Sequence, residues 1–303
     1  MEKKLLKKGK VKEVYELSND KLEFMFTDQI SVFDKVIPTM VPHKGETLCR
    51  TSAHWFEVAK SLGISTHFEG LSGPNLMQVK KVNVIRDYSK LTPDTANYLI
   101  PLEFICRHYV AGSLLDRLKS GDVKPEDVGF SGGHIPKYGE KLHEPFFETT
   151  TKLEEYDRKL SIEEAIDIAG LTEVEFKVIK DTVLRLDDKI GQEVRKRGLI
   201  HVDGKKEFAF DSDRKLMLID TFGTADEDRF WDLKKYEEDK FVEMSKEFVR
   251  QHYRGTSYLE MLEEARRKGE GEPDIPPLPD DITPQVSKLY IDLYERITGE
   301  KFR

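Results

Sequence analysis

The architecture that the sequence predicts is an α+β fold of two lobes, an antiparallel-sheet N-terminal lobe and a mixed α/β C-terminal lobe with a helical tail. Three observations point there. The first hundred residues are mostly short alternating runs broken by turn residues. From Leu99 to Asp220, long strand candidates are mixed with helical periodicity, and the remainder spaces its apolar residues as helices do. The expected boundary is the Thr92-Pro93 step, giving lobes of residues 1–92 and 93–303, with the cleft between them as the default ligand site.

The 303 residues carry 49 basic and 57 acidic side chains, a formal net charge of -8. That balance argues against a nucleic-acid partner, which calls for a basic surplus, yet it allows a locally basic cleft for small anions. Apolar residues make up 38% of the chain, too many and too evenly spread for disorder. No apolar run approaches the ~20 residues of a membrane span. The N-terminal MEKKLLKKGK lacks the apolar core of a signal peptide. With only Cys49 and Cys106, neither a disulfide framework nor a Cys-based zinc site is expected. The expectation is a soluble, reduced, cytoplasmic protein with no membrane partner, and the sequence leaves monomer and homo-oligomer equally open.

The elements follow in order. Val11–Glu16 and Leu22–Phe26 alternate around Ser18-Asn19-Asp20, a hairpin signal just after Gly9. Trp55, Phe56, Ala59 and Leu62 fall at helical spacing with Gly63 as the stop, and Leu76–Ile85 reads as a strand. Leu99–Val110 reads as a buried strand running into Ala111-Gly112-Ser113, after which Leu114, Leu115 and Leu118 begin a helix. Gly121–Glu148 has little periodicity and reads as a long functional loop. Ser161 with Glu164, and Thr172 with Glu175, have capping-box spacing. The second pair opens a helix whose apolar face is Ile179, Val183, Leu186, Ile190 and Val194, ending at Gly198. Leu199–Phe210, broken by Gly204, and Lys215–Asp220 are strands joined by Asp211-Ser212-Asp213. Helices with faces Phe241/Met244/Phe248 and Tyr258/Met261/Leu262/Ala265 follow, then a link from Pro273 to Pro279 and a last helix capped by Thr283 with Pro284 at its first position.

Four clusters carry potential chemistry, each with a bland counterpart. In Gly9-Lys10-Val11-Lys12 the glycine allows close backbone approach and the lysines share one strand face, which suits a nucleoside triphosphate or simply a solvated strand. Glu103 and Arg107 project from one face of an apolar strand, and Gly112-Ser113 opens a helix whose N–H groups attract anions. Arg107, the Ser113 hydroxyl and the helix N-terminus make a phosphate cradle, or else Glu103 and Arg107 form an internal ion pair with Ser113 as a plain N-cap. Asp203, Lys205 and Glu207 alternate on one strand face, and Glu207 can converge with Asp220 to hold a divalent cation, unless the hairpin faces water. Asp220 to Trp231 is a small-residue loop ending in Arg229 and two aromatics, a site on a scaffold or a mere connection in which Phe230 and Trp231 anchor the core. The histidines show no metal-ligand spacing, and Cys106 reads as a buried inert thiol.

In this order the clusters resemble the SAICAR synthetase family (phosphoribosylaminoimidazole-succinocarboxamide synthases), the ATP-dependent ligases of purine biosynthesis. Gly9 to Tyr15 is similar to the family's N-terminal nucleotide loop, and Thr27 to Asp34 to the segment after it. Pro101 to Arg107 with Ala111-Gly112-Ser113 resembles its Pro-x-Glu-x-x-x-Arg…Ala-Gly-Ser signature. Glu144 to Phe147 with Thr150-Thr151-Lys152, Val202 to Phe208, and Asp220 to Trp231 resemble further segments. Three departures stand out: Ala209 where the family has glycine, Gly204 where it has a larger residue, and the unusual Thr221-Phe222-Gly223.

The resemblance implies a SAICAR-synthase-like fold and a reaction in which ATP converts the carboxylate of the ribonucleotide CAIR to an acyl phosphate, which the L-aspartate amine then attacks. It implies that Gly9, Lys10 and Lys12 contact ATP and that Glu207 and Asp220 hold Mg²⁺. Arg107, Gly112, Ser113 and Arg229 would take the ribonucleotide phosphate, Glu103 would face the aminoimidazole, and Lys205 and Asp226 would line the reacting centre. A small-molecule kinase related to the inositol polyphosphate kinases and a non-catalytic nucleotide-binding protein are the rival expectations.

Overall fold

A computed structural model describes residues 3–131 and 133–303. The first sheet is built from β1 (Lys4–Lys8), β2 (Lys12–Glu16) and β3 (Lys21–Phe26); a separate ladder pairs β4 (Gln29–Val32) with β5 (Lys35–Met40). After α1 (Lys44–Ser61), β6 (Phe68–Gly73) and β7 (Leu76–Lys80) complete that sheet in the order β1-β2-β3-β7-β6, antiparallel throughout. α1 packs on it through buried Trp55 and Phe56 and stops before Gly63, whose φ of 74° suits glycine.

The second sheet holds β8 (Tyr98–Leu99) and β9 (Leu102–Tyr109), which leads into α2 (Gly112–Ser120), and β10 (Lys141–Thr151). After α3 (Ile162–Ala169) and α4 (Glu173–Arg195) come β11 (Leu199–Phe210), β12 (Leu216–Ile219) and β13 (Asp228–Asp232). The order is β10-β9-β11-β12, with β8 and β13 also pairing with β11. β11 is the spine of this sheet, covered by α4, whose Ile179, Val183, Leu186, Ile190 and Val194 are all fully buried. The tail comprises α5 (Leu233–Glu237), α6 (Glu247–Arg254), α7 (Tyr258–Lys268) and α8 (Ile282–Thr298). α8 returns to pack on α1, and one hydrophobic core runs from Phe24 and Trp55 through Phe104 and Phe208 to Tyr290.

The caps act as the spacing predicts. Ser161 accepts from Glu164 N, and Thr172 with Glu175 closes a reciprocal capping box. Thr172→Ala is expected to lower stability by about 1 kcal/mol in urea denaturation, the usual cost of an N-cap oxygen.

Several expectations need correction. β1 was not foreseen, because its lysine-rich, wholly exposed run offers no buried alternation; it is a charged edge strand. The stretch Gly121–Glu148 is not one loop: β10 occupies its last part, and Val123, Val128, Phe130 and Leu142 pack with Val110 and Leu114 as a satellite core. Gly132 in that stretch lies outside the described residues. β13 forms where a connection into helices was expected, and Phe241 and Met244 precede α6 in extended chain bridged to Trp231 and Phe230. The last helix begins after Asp281, not Thr283; Pro284 falls in its first turn, where no N–H is needed.

Candidate active site

β9 and β11 carry most of the site. Arg107 lies opposite Asp203 and Ile105 opposite Lys205, so alternation places Glu103 and Arg107 on the same sheet face as Asp203, Lys205 and Glu207. The β11–β12 hairpin pairs Glu207 with Ile219, which brings the strand-end residue Asp220 beside Glu207. Asp220 adopts φ 59°, a left-handed conformation costing about 1–3 kcal/mol for a residue other than glycine.

Lysines surround these carboxylates. Lys205 Nζ lies 2.6 Å from Glu207, 3.0 Å from Glu103 and 3.2 Å from Glu227. Lys12 contacts Asp220, while Lys152 contacts Glu207 and comes within 3.9 Å of Asp220. Glu207 is fully buried, and its Oε2 accepts no well-aligned hydrogen bond although the Lys152 ammonium is close. Burial would raise the Asp220 carboxyl, but Lys12, Lys152 and Lys205 outweigh it and hold the group far below the usual carboxylate range. Burial pushes Glu103 up to about 7 against the pull of Lys205. Partial burial opposes the Lys205 charge, yet Glu207, Glu227 and Glu103 keep it firmly protonated.

The other half of the site is arginine-rich. Arg107 donates from Nε to Glu148 at 2.7 Å, from Nη1 to Asp203 at 3.3 Å and from Nη2 to Ser113 Oγ at 3.2 Å. Arg229 contacts Asp203 through Nη1 and donates from Nη2 to Glu247 at 3.1 Å. Gly112, at φ 52°, is where these groups meet: a Cβ there would stand 2.7 Å from Arg229 Nη2. Arg107, Gly112, Ser113, Lys205 and Arg229 line one cleft of about 480 Å³, along with Arg250 and Arg254 of α6.

The structure thus brings together Glu103, Arg107, Gly112, Ser113, Lys205, Glu207, Asp220 and Arg229, with Lys12 reaching in from the first sheet. Gly9 makes the tight turn before Lys12, its N–H donating to Lys12 O at 2.8 Å. Lys10 stands apart at the rim, 2.6 Å from Asp34 at the β4–β5 turn. Asp226 does not line the cleft. It accepts from Lys44 at 2.9 Å and Tyr290 at 2.6 Å, and it lies 3.7 Å from Lys246, which does line it. No Glu103–Arg107 pair forms, because Glu103 goes to Lys205 and Arg107 to Glu148 and Asp203. Ala111, not Ser113, is the N-cap of α2. Phe230 and Trp231 are fully buried.

Sequence reasoning passed over Lys152, Glu148, Glu227, Arg250 and Arg254 as site residues. Only the last two left a local signal, as cations four apart on the helix that presents Glu247. His201 and the partly buried His108 join Cys106, Asp187 and Asp228 in a cluster behind the sheet.

A family model described as SAICAR synthetase matches residues 5–265. The chain belongs to the SAICAR synthetase family. Relatives named phosphoribosylaminoimidazole-succinocarboxamide synthase are 54% identical in Thermoplasma acidophilum and 52% in Thermoplasma volcanium, each alignment covering 99% of this chain and all of the relative. A solved SAICAR synthetase (Type-2) in complex with ADP is 26% identical, with a TM-score of 0.69 over 98% of this chain and 99% of that one. The Saccharomyces cerevisiae SAICAR synthase complexed with SAICAR is 25% identical, with a TM-score of 0.75 over 98% and 95%. As a SAICAR synthetase the protein is an ATP-dependent ligase of purine biosynthesis joining L-aspartate to the CAIR carboxylate, and neither rival expectation is favoured. Among the described residues, no helix is long and apolar enough to cross a membrane.

Proposed function

We propose that this ligase binds its two phosphorylated substrates at opposite ends of one β11 face and activates the CAIR carboxylate between them. The observation that carries this is the alternation Asp203, Lys205, Glu207. The arginine cradle flanks the first residue, the lysine-wrapped carboxylates surround the last, and four strand residues separate the ends by about 13 Å.

In this reading Lys10, Lys12 and the backbone at Gly9 hold the ATP phosphates. Glu207 and Asp220 fit a magnesium ion: both are hard oxygen donors, and Glu207 Oε2 is buried without a well-aligned donor. Such an ion supplies neutralisation of phosphate charge during transfer. The lysines that contact these carboxylates then turn to the triphosphate. Arg107, Ser113, Arg229 and the start of α2 at Gly112 hold the ribonucleotide phosphate, with Arg107 kept oriented by Glu148. Glu103 accepts hydrogen bonds from the aminoimidazole. Lys205 sits midway, where it neutralises two anions brought face to face as the carboxylate becomes an acyl phosphate. The aspartate amine then displaces phosphate. Asp226 acts one step removed, by positioning Lys246 at the cleft wall. Both cysteines are buried free thiols, and we place the enzyme in the cytoplasm.

A coupled ADP assay omitting CAIR, aspartate or magnesium in turn tests the proposal. Steady-state ADP release is expected only with all three plus ATP; sustained release without CAIR or without aspartate would overturn it.

A further inference from the structure

Behind the active face of β11 lies a second, dry cluster of charges. Lys206 points away from the cleft and is fully buried; its ammonium contacts Asp187 of α4 and lies 3.1 Å from Asp228 Oδ2. The same Asp228 oxygen is 2.7 Å from His201 Nε2. Asp187, His201 and Asp228 stand close enough to share a cation, and the Lys206 ammonium supplies that positive charge. Burial works against the Lys206 charge, but the two carboxylates outweigh it and hold the ammonium firmly protonated. Gly204 makes the room: a Cβ there would stand 2.0 Å from Asp228 Oδ2 and 2.6 Å from Lys206 Nζ.

The cluster is tied to the site through the loop from Asp220 to Arg229. Asp228 Oδ1 accepts from Gly223 N at 2.8 Å, and Gly223 O accepts from Trp55 Nε1 at 2.9 Å. Gly223 has φ 67°, and a Cβ there would run into the Trp55 ring, so the loop is clamped from both sides. One end of this loop is Asp220, and Arg229 follows Asp228 directly.

We infer that Lys206 and Asp228 are positioning residues, a buried ammonium–carboxylate pair that sets the 220–229 loop from behind the sheet and so aims Asp220 and Arg229. The role rests on the ligase assignment of the cleft. An unpaired buried charge is strongly destabilising to its surroundings, whereas a pair replaced by neutral groups of similar shape is often tolerated. Lys206→Met keeps the length of the side chain but takes the ammonium from both Asp187 and Asp228. Lys206→Met/Asp187→Asn/Asp228→Asn removes all three charges and keeps the oxygen that Gly223 needs.

The wild-type omission assay comes first, because its failure removes the ligase assignment itself. Given that activity, Lys206→Met, assayed well below its melting temperature, is expected to raise KM for both Mg-ATP and CAIR by about tenfold or more. The triple variant is expected to return both to within about threefold of wild type, the penalty of the stranded charges being gone. A purely structural pair would lower the melting temperature and leave both KM values unchanged. That result, or a triple variant no better than the single one, overturns the inference. Should Lys206→Met fail to fold, Asp228→Ala, which leaves Lys206 its Asp187 partner but frees Gly223, decides alone: KM for both Mg-ATP and CAIR raised about tenfold supports positioning, and both unchanged refutes it.

Discussion

Replacing Asp220 with asparagine is expected to lower steady-state ADP release by about 10³-fold, the scale of losing one preorganised charge at a reacting phosphate. Lys12, Lys152 and Lys205 all draw on the Asp220 charge, so the neutral amide weakens the cation site and the balance of the lysines around it. The backbone should not suffer, since asparagine tolerates the left-handed conformation that Asp220 adopts at φ 59°. A magnesium titration of the variant checks this; ADP release near the wild-type rate at ordinary magnesium would remove Asp220 from the metal-binding pair.

Arg107→Ala should act at the other end of the face. Its fork is directed at Ser113 and the α2 N-terminus, and losing a charge-assisted contact to phosphate costs about 2–3 kcal/mol, or roughly a hundredfold in KM for CAIR. KM for ATP should change only a few-fold. The fold should survive, because Glu148 keeps Arg117 at 2.7 Å and Asp203 keeps Arg229, so neither carboxylate is left buried alone. Varying each substrate against saturating levels of the other reads the split, and equal rises for both would contradict the phosphate role.

The spine of the fold was legible because its residues obey local rules. β11 is bounded as expected at Leu199 and Phe210 but runs unbroken through Gly204, which pairs with Cys106 and Asp228; α4 has the expected cap and buried face, since a reciprocal cap and a steady 3.6-residue period need no partner to be recognised. Elements failed where charge hid the period. β1 is lysine on both faces, and β13 mixes Asp228, Arg229 and Asp232 with two aromatics because its charged side chains are neutralised inside the protein. The site divides the same way. Alternation alone put Glu103 and Arg107 on one face and Lys205 with Glu207 on another, but that these are one face is a matter of β9–β11 register, which no single strand carries. Lys152 and Glu148 reach the cleft only because β10 pairs with β9. The departure at Gly204 has a reason in the buried Lys206–Asp228 pair, which fills the space a side chain there would need.

α8 fastens both halves of the molecule. Ser287 Oγ donates to Pro42 O at 2.6 Å just ahead of α1, Tyr290 donates to Asp226 in the loop after β12, and Arg296 donates to Asp232 at 2.8 Å. Swinging the halves apart would peel this rivet away, so wholesale gaping is too costly a way to admit a nucleotide.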